Sequence, residues 1–140
     1  MGLDQYAHAR KGEPIKKQQT YTFTNEDGYE EKKIEEYDHW EDEYQLAQWR
    51  KHPNLQGWME ALYYEKGGEA EVFNCQDVEL TKYDLISLED AINGKDLPET
   101  HGFFFGTGSD DFYKEQDLQF ILDARKALED GYTVVYSSWW

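Results

Sequence analysis

Short runs of alternating or apolar residues along the chain predict β-strands. They are residues 3–9, Gln19–Thr24, Glu71–Leu80, Gly102–Gly106 and Tyr132–Tyr136. Gln19–Thr24 alternates and is rich in β-branched and aromatic residues, which suits a strand. Gly102–Gly106 holds three consecutive phenylalanines between glycines, which is typical of a short buried strand.

Hydrophobic residues spaced three or four positions apart predict about four helices. They lie at about Trp40–Arg50, about Leu55–Glu65, after Thr81, and at Lys114–Asp130. Thr81 can cap the third helix, with Asp84 three residues later in the position of a capping box. In the last helix the predicted buried stripe is Leu118, Ile121, Leu122, Arg125 and Leu128.

The order of these elements predicts the fold class. Strands and helices interleave without strict alternation, which favours an α+β fold with a mainly antiparallel sheet. The chain has 140 residues, the size of one domain. We therefore expect residues 1–140 to form a single compact domain.

The charge is strongly acidic and unevenly distributed. Fourteen Lys and Arg oppose 30 Asp and Glu, a net charge of −16, and residues 26–43 alone hold ten acidic residues. Such a chain is a poor partner for nucleic acid or for an anionic membrane, both of which attract cationic surfaces. We expect residues 25–43 to form an acidic loop or linker within the domain.

We predict the cellular compartment of the protein from its hydrophobic segments and its cysteine content. No apolar run approaches the roughly 20 residues of a membrane span, and the N-terminus has no hydrophobic signal region. Cys75 is the single cysteine, which fits a reducing compartment. We expect a cytoplasmic protein that contacts neither membrane nor nucleic acid.

One segment concentrates groups that could bind an anion. Trp49-Arg50-Lys51-His52-Pro53-Asn54 places two cations, a histidine and an amide between Trp49 and Trp58. Arg50 offers a planar fork for phosphate or carboxylate, and the tryptophans offer faces for stacking. Asn54 is expected to cap the following helix, whose free N–H groups favour an anion. The same features also fit core tryptophans with paired surface charges.

Catalytic and metal-binding patterns are weaker. One cysteine and the histidines at 8, 39, 52 and 101 do not form a metal-ligand spacing, and no phosphate-binding loop is present. We therefore expect no metal and no cofactor. An acid–base pair of His52 or His101 with a carboxylate stays open as the basis of a small hydrolase.

The end of the sequence is unusually apolar. Ser137-Ser138-Trp139-Trp140 carries two adjacent tryptophans, whereas chain ends are commonly polar and frayed. They are expected either to close the core or to form a self-association surface. A homodimer is compatible with the second alternative.

Three segments together resemble a family of small uncharacterised proteins of tailed phages, including cyanophages, and of prophages. They are Gly2–Tyr6, Gln48–Met59 and Gly102–Gly106. In that family a tyrosine precedes Trp-Arg-Lys and a histidine is frequent at the position of Gln56, so the chain departs from the pattern at Gln48 and Gln56. The resemblance implies a phage context, with host cytoplasm as the location, and no specific activity.

Three functional hypotheses follow, and the first is preferred. The first is a non-enzymatic protein that binds a small anionic, nucleotide-like ligand. Its site residues are Asp4, Trp49, Arg50, Lys51, His52, Asn54, Gln56 and Trp58. The second is an acidic inhibitor that mimics nucleic acid and binds a host protein. The third is a small hydrolase using His52 or His101.

Overall fold

The computed structural model of the chain describes residues 2–100 and 109–140, which form six strands and three helices. The strands are β1 (Asp4–Lys11), β2 (Ile15–Thr24), β3 (Glu30–His39), β4 (Asp42–Arg50), β5 (Val78–Leu80) and β6 (Thr133–Trp139). The helices are α1 (Pro53–Glu65), α2 (Lys82–Asn93) and α3 (Asp110–Glu129). The predicted α+β class is confirmed. The chain divides into two compact units, Lys11–Glu43 and the remaining residues.

The larger unit is built on a four-stranded sheet in the order β4-β1-β6-β5. β1 and β6 pair antiparallel from Asp4↔Trp139 to Arg10↔Thr133, and β5 pairs antiparallel with β6. Alternate residues of β1 are buried, including Ala7 and Ala9, whose small side chains let neighbouring elements approach. The predicted antiparallel character of the sheet is confirmed.

α1 and α2 both contribute hydrophobic side chains at helical spacing to the core. Leu85, Leu88 and Ile92 of α2 are buried, and the capping box between Thr81 and Asp84 is formed in both directions. α1 buries Leu55, Met59 and Leu62. Each of these aliphatic side chains contributes on the order of 2 kcal/mol through removal of apolar surface from water.

The buried stripe of α3 differs from the prediction by one position. The residues that it buries are Asp117, Phe120, Ile121, Ala124 and Ala127, whereas the predicted Leu122 is 57% exposed. The alanines let α3 pack closely, and the carboxylate of Asp117 is tolerated because it is hydrogen-bonded. Leu118 and Leu128 pack only at the margin of the core.

Two predictions for the first half of the chain are wrong. Trp40–Arg50 is not a helix, because Asp42–Arg50 forms β4 beside β1. As the outer strand of its sheet, β4 fully buries only Trp49, so it lacks the alternation that identifies a strand. Residues 25–43 are not a loop or linker, because most of them form β3 and the start of β4.

The smaller unit is an antiparallel ribbon of β2 and β3. The register runs from Ile15↔His39 to Thr24↔Glu30, ten residue pairs in all. The turn is closed by Asn25, whose side-chain oxygen accepts hydrogen bonds from the main-chain N–H groups of Asp27 and Tyr29. Nearly all side chains of this ribbon are exposed.

Other predictions are met in part or lie outside the described residues. The strand predicted at Glu71–Leu80 is limited to Val78–Leu80, and the described residues hold three helices rather than four. Gly102–Gly106 and His101 fall in the segment that is not described. Trp140 hydrogen-bonds to residues 73 and 74, while Trp139 is 62% exposed. None of the helices found in residues 2–100 and 109–140 is sufficiently long and apolar for a membrane span.

Candidate functional site

His52 lies in the core at the junction between β4 and α1. Its side chain has no exposed surface. The preceding residue, Lys51, has a φ of 56°, a left-handed conformation that costs a residue with a Cβ about 1–2 kcal/mol. Its main-chain N–H donates to the carbonyl of Leu3 at 2.8 Å. This turn directs His52 inward immediately before Pro53 begins α1.

Both ring nitrogens of His52 have close partners on α3. Nδ1 lies 2.7 Å from Oγ of Ser109, and Nε2 lies 2.8 Å from Oδ2 of Asp117. Ser109 immediately precedes α3, and Asp117 lies about two turns into it, and both side chains reach the imidazole. Ser109, His52 and Asp117 therefore form a continuous buried chain of hydrogen-bonding groups.

The carboxylate of Asp117 has a second donor. Nε1 of Trp49 donates to Oδ1 of Asp117 at 2.7 Å, and the indole packs edge-on against Phe120 at 5.1 Å between ring centroids. An indole N–H can only donate, so this contact fixes the role of Oδ1 as acceptor. Both oxygens of a carboxylate that is 1% exposed are thereby satisfied.

The main chain of His52 is held by Gln5. Oε1 of Gln5 accepts from the N–H of His52 at 2.8 Å, and its Nε2 donates to the carbonyl of His52 at 3.0 Å. The same Nε2 donates to the hydroxyl of Tyr136, which in turn donates to Gln56. Burial raises the pKa of the Tyr136 phenol far above its usual range, so this hydroxyl keeps its proton.

Further contacts surround the imidazole. The ring of Tyr113 stacks on it at 4.9 Å, and the Tyr113 hydroxyl donates to the carbonyl of Arg50. Oδ1 of Asp110 lies 3.9 Å from Nδ1 of His52 and is buried with no hydrogen-bond partner among the described residues. A positive charge on the imidazole would therefore face two carboxylates.

Ser109 departs from the usual role of a serine before a helix. A serine at that position commonly caps the helix by accepting from a main-chain N–H, which contributes about 1 kcal/mol. Here the hydroxyl makes no capping hydrogen bond and is directed to His52. The side chain of Ser109 therefore does not accept from the free main-chain N–H groups in the first turn of α3.

The structure disperses the residues of the predicted anion-binding corner. Trp49, His52 and Gln56 are buried in the core, so the Trp49 ring offers no free face for stacking. Arg50 and Lys51 are exposed, with Asp4 3.9 Å from the Arg50 guanidinium. Binding of an anion by this exposed pair stays a prediction.

Asn54 and Trp58 of that set have other positions. Asn54 does not cap α1, since the helix already begins at Pro53. Its side chain instead donates to Asp110 and accepts from the N–H of Thr100. Trp58 is half-buried and lines a groove with Ser87 and other residues of α1 and α2.

Sequence reasoning identified His52 and missed its partners. Ser109, Asp117 and Gln5 were not predicted as partners of His52, although each is buried. A signal for Asp117 exists in the sequence, because it lies three and four positions before Phe120 and Ile121 on the buried stripe of α3. A carboxylate in such a stripe needs a buried partner.

Comparisons with known proteins add no assignment to this geometry. No family model matches the chain, and no curated protein or solved structure matches it. The resemblance to the phage family therefore stays a prediction. Among residues 2–100 and 109–140, no group of three or more His, Cys, Asp or Glu is placed to hold a metal ion.

Proposed function

We propose that the protein is a hydrolase in which Ser109 is the nucleophile, His52 the general base and Asp117 the group that orients His52. The observation that carries this proposal is the hydrogen-bonded chain from Ser109 Oγ through both ring nitrogens of His52 to Asp117. A nucleophile hydrogen-bonded to a base, with the base held by a third group, is the arrangement that activates a serine. This proposal is the small hydrolase that the sequence suggested as a third hypothesis, with His52 rather than His101 as the base.

The hydrogen bonds define the direction of proton transfer. An ionised Asp117 can only accept, so a neutral His52 carries its proton on Nε2 and presents the lone pair of Nδ1 to Ser109. The serine hydroxyl then donates to Nδ1 and is ready to lose its proton there. The ring is used in the opposite sense to the serine-protease template, in which Nε2 faces the serine, so the two nitrogens exchange roles and Nδ1 acts as the base.

The reaction proceeds in two balanced steps. Oγ of Ser109 bonds to the acyl carbon of an ester or amide while its proton moves to Nδ1, and that proton then leaves with the alcohol or amine. Water next attacks the acyl-serine, gives one proton to Nδ1, and releases the acid as Ser109 regains its hydrogen. In both steps Asp117 and Oδ1 of Asp110 stabilise the transient imidazolium.

The start of α3 supports acyl transfer rather than a purely structural role. Main-chain N–H groups at a helix start that its N-cap side chain does not cap are donors of the kind that stabilise an oxyanion. Asp110 and Asp111 in the first turn disfavour an anionic substrate. We therefore assign a neutral or cationic ester or amide as the substrate class.

Ser109 is the least buried of the three residues. Ser109 keeps 5% of its surface exposed, whereas His52 keeps none and Asp117 keeps 1%. A nucleophile must come within about 3–3.5 Å of the atom it attacks, so it has to be the most accessible of these three residues. The order of exposure agrees with the roles that we assign.

A serine-directed fluorophosphonate tests the proposal without knowledge of the substrate. We expect one adduct on the folded protein, located at Ser109 by peptide mass spectrometry. Ser109→Ala should abolish it, and His52→Gln should slow labelling by about a hundredfold or more, because glutamine cannot act as the base. Ser87→Ala, a change of an exposed serine in α2, should label like the wild type.

The fold of each variant is checked by its circular dichroism and its urea unfolding curve. A folded wild-type protein that takes up no fluorophosphonate would exclude a nucleophilic Ser109. Equal labelling of the wild type and the folded His52→Gln variant would exclude His52 as the base.

A further inference from the structure

We propose that the outer edge of β3 binds an extended segment of a partner protein by strand addition, and that this segment alternates basic and apolar residues. The inference concerns the smaller unit, Lys11–Glu43, and is independent of the proposed hydrolase. It rests on the free edge of the ribbon, on the charges of its two strands, and on its exposed hydrophobic side chains.

The hydrogen-bonding register shows which main-chain groups of β3 are free. The N–H of Asn25 donates to the carbonyl of Tyr29 at 2.8 Å, which marks this pair as hydrogen-bonded. Hydrogen-bonded and non-hydrogen-bonded pairs alternate along an antiparallel ladder. The even-numbered residues of β3 therefore direct their N–H and C=O groups away from β2. They are Glu30, Lys32, Ile34, Glu36 and Asp38.

This edge is long and unpaired within the described residues. β2 and β3 form a sheet of two strands over ten pairs, so β3 has no second neighbour there. A two-stranded ribbon is marginally stable in water, and a third strand would add a full ladder of main-chain hydrogen bonds. An open edge of this length is a template for strand addition.

The charges of the two strands distinguish their edges. β3 carries five carboxylates and two lysines, whereas β2 carries two lysines and no carboxylate. A basic segment is thus attracted to β3 and repelled from β2. The net charge of −16 on the whole chain strengthens the approach of such a partner.

The side chains on the two faces of the ribbon are the reason why we expect the partner segment to alternate basic and apolar residues. On one face Phe23 and Tyr37 are 45% and 44% exposed, beside two carboxylates and one lysine of β3, and they offer apolar surface to an added strand. On the other face β3 presents three carboxylates, Glu30, Glu36 and Asp38, together with one lysine and Ile34. Successive residues of a strand point to opposite faces, so a segment that alternates basic and apolar residues satisfies both.

Hydrogen exchange with a synthetic probe tests this placement. The probe is a peptide with the length of β3, alternating lysine and valine, and the full chain is used. We expect the peptide to slow the exchange of the N–H groups of Lys32, Ile34 and Glu36, and to leave those of Gln18 and Thr20 on the β2 edge unchanged. A peptide alternating glutamate and valine should give no protection.

Charge variants provide the matched comparison. Glu30→Lys combined with Glu36→Lys should weaken binding of the lysine–valine peptide by about tenfold or more. Glu69→Lys combined with Glu71→Lys, two exposed sites outside the ribbon, makes the same change in net charge and should bind within about twofold of the wild type.

Three outcomes would overturn the proposal. One is binding of the peptide without protection of the even-numbered β3 amides, which indicates contact through side chains only. Another is protection of the β2 edge. The third is concentration-dependent protection of β3 without peptide, which identifies a second copy of this chain as the occupant.

Discussion

Gln5 forms hydrogen bonds with both the N–H and the carbonyl of His52, although 47 positions separate the two residues. His52 is not part of a strand, and the side chain of Gln5 provides both the acceptor for its N–H and a donor to its carbonyl. A neighbouring strand would provide the same two contacts through its main chain. The contact fixes where the His52 ring enters the core. Nε2 of Gln5 also donates to the hydroxyl of Tyr136, so one amide connects β1, the start of α1 and β6.

Replacement of Gln5 by leucine should be strongly destabilising. The leucine has a similar size, but it leaves the buried N–H of His52 without a partner and the carbonyl of His52 with only the N–H of Gln56, and loss of a buried partner costs about 1–3 kcal/mol. We expect the free energy of unfolding in urea to fall by about 3 kcal/mol. Gln119→Leu, at an exposed position of α3, should change it by less than about 0.5 kcal/mol. Similar values for the two variants would contradict the role of Gln5.

Replacement of Lys51 by glycine should stabilise the fold. Glycine adopts the observed φ of 56° without the steric cost that a Cβ imposes, and this gain exceeds the greater flexibility of glycine in the unfolded chain. We expect the free energy of unfolding to rise by about 0.5–1 kcal/mol. Lys51→Ala keeps the Cβ and removes the same charge, so it should stay within about 0.5 kcal/mol of the wild type. An alanine variant as stable as the glycine variant would assign the effect to charge instead.

Alkaline pH should destabilise the wild type more steeply than Tyr136→Phe. Burial raises the pKa of the Tyr136 phenol in the folded protein, while its ordinary value is 10.0. Below pH 10 both states keep the proton, and above it only the unfolded chain releases it, so stability falls as pH rises. The phenylalanine variant starts lower at pH 7, since Gln5 and Gln56 lose a partner, but it lacks this decline.

Urea unfolding at several pH values between 8 and 11 measures this difference. Tyr83→Phe, which changes a tyrosine that is 68% exposed, provides the reference and should follow the slope of the wild type. Parallel curves for Tyr136→Phe and the wild type would show that Tyr136 ionises alike in both states.

The parts of the fold that were predicted are those in which local pattern and tertiary environment agree. Thr81 and Asp84 cap α2, and Leu85, Leu88 and Ile92 are buried at helical spacing, so the sequence around them already specifies the helix. β4 was predicted as a helix because Trp40, Tyr44 and Ala47 fall at three- and four-residue spacing. Its strand conformation depends on pairing with β1, which no local window contains.

The candidate site was only partly predictable for a related reason. His52 was identified because it stands beside Arg50 and Lys51 in an unusual segment. Its partners Ser109 and Asp117 are 57 and 65 positions away and come together only in the folded chain. The neighbours of His52 in sequence, Arg50 and Lys51, are instead at the surface. The hydrogen bonds of His52 in the core therefore join residues that are far apart in the sequence.

The antiparallel pairing of β1 with β6 has a consequence for synthesis of the protein. The hydrogen bond between Gln5 and Tyr136 joins residues 131 positions apart. At about 5–20 residues per second, a ribosome makes β6 on the order of ten seconds after β1. During that interval one edge of β1 has no partner strand, and the buried groups of Gln5 lack the Tyr136 hydroxyl. The larger unit therefore cannot complete its core until β6 has been made, and until then the open β1 edge is exposed to chaperones and to other nascent chains.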